Sequence, residues 1–181
     1  MENQIVIDAT KHWVRSIVVG LNLCPFARRV FDSDRIRYVV TDVADVVSLK
    51  LELVRELKLL AGADRATIET TLLIHPGVLC DFFDYNDFLG IADGLLQELG
   101  YEGVIQIASF HPDYQFAGTA AVAVENYTNR SPYPMLHLLR EVSVTEVSAN
   151  PDDLSRIPER NIETLRAIGT RAMQQRLKGI R

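Results

Sequence analysis

Two apolar runs in this chain end in the same dipeptide. Thr70-Thr71-Leu72-Leu73-Ile74 leads into His75-Pro76, and the run from Val104 to Phe110 leads into His111-Pro112. The histidines are 36 positions apart, and the stretch between them reads as a turn and a helix. That pattern predicts a β-α-β unit with an imidazole at the carboxyl end of each strand. Parallel strands need a crossover of this length, so the pair constrains the chain to the α/β class. In open α/β sheets, ligands bind at the carboxyl ends of the strands. His75 and His111 are therefore expected on one sheet edge, within about two strand spacings, on the order of 10 Å.

The rest of the chain fits a small sheet with parallel β-α-β units and helices packed on it. Trp13, Ile17 and Leu21 share a face with Val14 and Val18, which predicts a helix over 5–21. Asn22 and Pro25 mark its end. A loop through Asp32-Ser33-Asp34 and a strand over 36–40 follow. Residues 45–61 carry a wide apolar stripe closed by Gly62 as C-cap, and a further helix is expected over 86–99. Strand starts near 36, 70 and 104 recur every 34 residues, which suggests a parallel three-stranded sheet with both crossover helices on one face. The first helix and the C-terminal region would cover the other face. Residues 113–133 form a long loop, with room for one extra strand. A helix is expected from Pro134 through Glu141, since proline suits a first turn. After Asn150-Pro151-Asp152-Asp153, a last helix runs over 161–177 with Asn161 as N-cap, and residues 178–181 are expected to fray.

A chain of 181 residues is most simply a single domain and can bury a full core. Its net charge of −5 gives no basic face for nucleic acid. No apolar run is long enough for a bilayer span, so no membrane partner is expected. Two cysteines are too few for a disulfide framework. With no basic n-region before the first apolar run, a reducing, cytoplasmic compartment is expected.

Four clusters could carry chemistry. His75 and His111 come first, because an imidazole titrates near neutral pH. Beside that function stands a structural alternative, in which each ring caps a strand before the proline turn. Cys24, in Asn22-Leu23-Cys24-Pro25-Phe26, is a candidate nucleophile if a base or positive charge adjoins it, and otherwise a buried small hydrophobe. A metal site drawn from Cys24, His75, His111 and an aspartate lacks any close-spaced ligand pair, so no metal is assigned. Asn129, Arg130, Ser131 and Tyr133 precede a predicted helix start, where backbone N–H groups and an Arg fork could seat a carboxylate or phosphate. The alternative there is a locally bonded turn. The acidic run from Asp81 to Asp87 reads as a turn and a charged first helical turn.

Several stretches together resemble a known family: Leu21-Asn22-Leu23-Cys24-Pro25-Phe26-Ala27, Thr70 to Pro76, Asp84-Tyr85-Asn86-Asp87-Phe88, Ser109-Phe110-His111-Pro112, Tyr114-Gln115-Phe116 and Asn126 to Pro134. The chain resembles the bacterial family called domain of unknown function 1415 over nearly its whole length. That resemblance implies a compact single-domain protein and no particular reaction. The family pattern has a proline and two acidic residues after its Ala-Gly-Thr or Glu-Gly-Thr step. Here Ala117-Gly118-Thr119 runs into Ala120-Ala121-Val122. If those acids hold a metal or move a proton in relatives, this chain lacks them.

The function expected on this basis is an enzyme acting on a small polar or anionic molecule by hydrolysis or group transfer. His111 would be base or acid, Cys24 the nucleophile and His75 a second polar group, with Asn129 and Arg130 orienting the substrate. The alternatives are a non-catalytic ligand-binding or regulatory module in the same crevice, and a protein-interaction domain using the 113–133 loop. The residues assign no cofactor and no oligomeric state.

Overall fold

A computed structural model of the protein describes residues 2–146 and 155–180. The expected loop at Asn150–Asp153 and the last residue of the expected tail, Arg181, lie outside them.

The first helical run is α1 (Glu2–Trp13), which widens into a π-helical turn over Val14–Val19. Asn22 ends it with φ of 53°, a left-handed conformation that asparagine tolerates. A second helix, α2 (Pro25–Asp32), starts at once with Pro25 in its first turn. The sequence pattern left this segment without a helix. Strand β1 (Ile36–Val40), helix α3 (Val46–Gly62) and strand β2 (Thr70–Ile74) lie close to their expected bounds. Ala63, and not Gly62, is the C-cap of α3. A side chain does the capping work expected of the glycine: Arg140 donates to the Leu60 and Ala63 carbonyls at 2.6 and 2.8 Å.

Helix α4 (Phe82–Glu98) begins four residues before the expected start at Asn86, because Asp81 accepts from the Phe83 and Asp84 N–H groups as an N-cap. Strand β3 (Ile105–Phe110) follows. Residues 113–133 hold a 3-10 turn at Val124–Thr128 and no strand.

The largest departure comes next. The helix expected from Pro134 to Glu141 is a strand, β4 (Met135–Arg140), with only a short helix α5 (Glu141–Thr145) after it. Met-Leu-His-Leu-Leu-Arg has good helical propensity, but tertiary pairing overrides it. β4 lies between β2 and β3 in the order β1-β2-β4-β3 and is antiparallel to both. The sheet is thus four-stranded and mixed, not parallel and three-stranded. β1 and β2 form the parallel pair around α3. β2 and β3 still run in the same direction, because each opposes β4.

The C-terminal helix is also divided. α6 (Ile157–Ile168) and α7 (Thr170–Lys178) meet at Gly169, whose φ of 85° only glycine adopts readily. Asn161 is inside α6 and not its N-cap; its buried side chain donates to the Leu23 carbonyl at 2.8 Å. Ile180, within the tail expected to fray, packs in the core.

Helices cover both faces of the sheet. On one face α3 and α4 pack Leu53, Leu57, Tyr85 and Phe88 against Leu73, Leu136 and Leu138. On the other, α1, the π turn, α6 and α7 pack Trp13, Ile17, Leu165 and Met173 against Leu72, Ile74 and Met135. No helix among the described residues is long and apolar enough to cross a membrane.

Candidate functional site

Strand periodicity decides which way the two histidines face. Ile74 and Phe110 point toward α1, so the next residues, His75 and His111, point toward α4. There both rings pack against Tyr85, with centroids 5.9 Å from His75 and 5.1 Å from His111. The structure brings the two histidines to one end of the sheet. It also fills the space between them. His75 N–H donates to the Pro134 carbonyl, His111 N–H to the Asn129 carbonyl, and Ser131 N–H to the His111 carbonyl. Residues 129–134 therefore run between the two His-Pro turns, because β4 leads out of that gap.

Both rings are fully buried. The His111 Nδ1 accepts from Asp113 N–H at 3.0 Å, so Nε2 carries the proton and donates to the Leu79 carbonyl at 3.2 Å. The partners impose this tautomer. Both ring nitrogens are thus used, and burial holds the ring's pKa below its ordinary value. Leu79 has φ of 56°, unusual for a branched side chain, and the bond from His111 helps hold it there. His75 donates from Nδ1 to the Val78 carbonyl at 2.9 Å. Its Nε2 is buried without a partner among the described residues, and burial pushes its pKa down to about 4. His75 fastens the turn after β2, and His111 fastens both that turn, at Leu79, and the turn after β3, at Asp113.

Cys24 lies elsewhere. It is the N-cap residue of α2, packed with Phe26, Val30 and Leu139 on the sheet face opposite the two histidines. Burial raises its thiol pKa, and this outweighs the Ala27 and Phe26 N–H groups that lower it. Cys80 is exposed, with its thiol 3.3 Å from the Pro76 carbonyl. Iodoacetamide at neutral pH is therefore expected to modify Cys80 well before Cys24, as peptide mass mapping would read. Faster modification of Cys24 would mean an activated thiolate there.

The four residues before β4 divide in the same way. Asn129 donates to the Ser109 carbonyl and Ser131 to the Tyr133 carbonyl. Ser131 is fully buried, and Tyr133 packs against the core on the α1 side. Arg130 lines an open pocket. Its guanidinium lies 4.7 Å over the Tyr127 ring and donates to the Tyr114 and Ala121 carbonyls. The pocket, of about 280 Å³, is walled by Pro112, Asp113, Tyr127 and Arg130 on one side and by Gln174, Leu177 and Lys178 of α7 on the other. Neither Arg130 nor Lys178 forms a salt bridge among the described residues. Two cations with no salt bridge among the described residues, and one carboxylate, thus share an open space beside the carboxyl end of β3.

Asp113 and Lys178 escaped the sequence analysis. Asp113 was legible as the residue two past His111. Lys178 was not, because its place depends on how α7 turns back at Gly169. Among the described residues no group of three or more His, Cys, Asp or Glu side chains is arranged to hold a metal ion.

An α/β protein with a mixed sheet and a polar pocket at the end of β3 is what these features define. The chain belongs to the family described as Protein of unknown function (DUF1415), which matches residues 5–175. No curated protein and no solved structure matches it.

Proposed function

We propose that the protein is a ligand-binding module that takes a small anion, a phosphate or carboxylate, in the pocket between Arg130 and Lys178. The observation that carries this reading is two cations and a single carboxylate, Asp113, in one open pocket, with no salt bridge to either cation among the described residues, in a chain whose net charge is −5. Arg130 is pre-oriented by the Tyr127 ring and two carbonyls, so binding would cost little side-chain entropy. Binding without turnover is favoured over hydrolysis or group transfer because His111 uses both ring nitrogens and Cys24 lies across the sheet.

Calorimetric titration with inorganic phosphate at low ionic strength tests the reading. The parent should bind saturably at one site. Lys178→Gln, an exposed change, should weaken binding about fivefold, the effect of roughly 1 kcal/mol. Arg130→Gln should abolish binding. An affinity unchanged in both variants would place any bound anion elsewhere and end the proposal.

A further inference from the structure

The pocket beside β3 carries a negative pole as well as its two cations. Asp113 lines it two residues past His111, and its carboxylate has no hydrogen-bond or ion-pair partner among the described residues. The backbone that carries this carboxylate is held in place. Asp113 N–H donates to the buried His111 Nδ1 at 3.0 Å, and Tyr114 N–H donates to the His111 carbonyl at 3.2 Å. Arg130 is held by the Tyr127 ring and by two carbonyls. Those two bonds use its Nε and one hydrogen of Nη2, so three of its five N–H groups are left without a partner among the described residues. An acid that served to neutralise Arg130 or Lys178 would sit against one of them. Asp113 does not, so all three charges stay open to a ligand.

A plain anion uses the two cations but is repelled by Asp113. A ligand with its own cation turns that repulsion into attraction. Charge matching also selects the anionic head. A phosphate monoester carries about two negative charges near neutral pH, one for each cation, and a single ammonium balances the carboxylate. The cavity, of about 280 Å³, has room for such a molecule, and Pro112, Tyr127 and Leu177 offer apolar surface to a short carbon linker. We propose, resting on the anion-site reading above, that the pocket takes a small aminoalkyl phosphate, its phosphate between Arg130 and Lys178 and its ammonium against Asp113. Asp113 is then the residue that distinguishes this ligand from a simple phosphate.

Ethanolamine phosphate and propyl phosphate are matched probes, since they differ only in an ammonium in place of a methyl group. Calorimetric titration at low ionic strength and mildly alkaline pH keeps both phosphates dianionic. The parent should bind ethanolamine phosphate about fivefold more tightly than propyl phosphate, the upper end of what an exposed ion pair contributes. Asp113→Asn keeps the backbone bond to His111 and removes the charge. It should bring the two probes to equal affinity and strengthen propyl phosphate binding about twofold, as a like charge leaves the pocket. Equal affinities in the parent would overturn the inference, as would a preference that survives Asp113→Asn. If propyl phosphate binds, Arg130→Gln abolishes that binding and ethanolamine phosphate gains nothing, the anion site stands and the aminoalkyl phosphate falls. If neither probe binds and inorganic phosphate does not bind either, both readings fall.

Discussion

Replacing Tyr85 with phenylalanine is expected to cost the protein about 2 kcal/mol of stability, and replacing it with alanine about 5 kcal/mol. Tyr85 is fully buried and stands at the last register pair of β3 and β4, Phe110 opposite Met135. Its hydroxyl accepts from Phe110 N–H at 3.0 Å and donates to the Met135 carbonyl at 2.8 Å. Phenylalanine keeps the ring and strands both backbone groups, and each buried unpaired group costs about 1–3 kcal/mol. Alanine also removes the ring on which His75 and His111 both rest, and leaves a cavity there. Urea unfolding at neutral pH measures both changes. A loss under about 0.5 kcal/mol in Tyr85→Phe would mean that these strand ends are not joined through the hydroxyl.

Acidification should destabilise the protein well above the pH at which carboxylates titrate. His75 and His137 are neutral when folded, with pKa values pushed down to about 4 by burial, and would titrate near 6.5 when unfolded. The unfolded chain then binds more protons between those limits, so stability falls as pH falls. Their contribution is complete above pH 6.5 and is lost as pH drops toward 4. For His75 the loss reaches about 3 kcal/mol; His137, only partly buried by area, contributes less. His111 adds to the effect in the same direction. Glu69 loses its share at lower pH: burial raises its pKa, but bonds from Ser143 and Arg65 outweigh this and hold it below the ordinary 4.5. Near pH 5 the slope of stability against pH should correspond to about two protons taken up on unfolding. His137→Phe should reduce that slope by about one proton. A flat profile between pH 6.5 and 5 would show that the rings are charged or solvated in the folded state.

The elements legible in the sequence were those whose pattern is local. The apolar stripe of α3, the β-branched run of β1 and the strand before His75 each carry their own period. β4 does not, because a central strand buried on both faces reads as a continuous apolar run, which a helix can equally produce. That one segment altered the site. With β4 between β2 and β3, the gap between His75 and His111 holds residues 129–134 instead of an open crevice. The β-α-β pattern was enough to put both histidines at one edge of the sheet, but the N-terminal loop carries no comparable pattern. Nothing local to Cys24 tells which side of the sheet it joins. Arg130 was legible by its chemistry, while its partner Lys178 depends on the turn at Gly169. His137 was hidden inside the segment expected to be helical.

Arg130 and Lys178 are proposed to form an anion site beside the β3 carboxyl end. A ¹H–¹⁵N NMR titration of the parent protein with inorganic phosphate tests it most directly. Saturating shifts are expected, confined to the backbone amides around Asp113, Arg130 and Lys178, together with the Arg130 guanidinium. Shifts that stay linear to high phosphate, or that centre on another part of the surface, would contradict it.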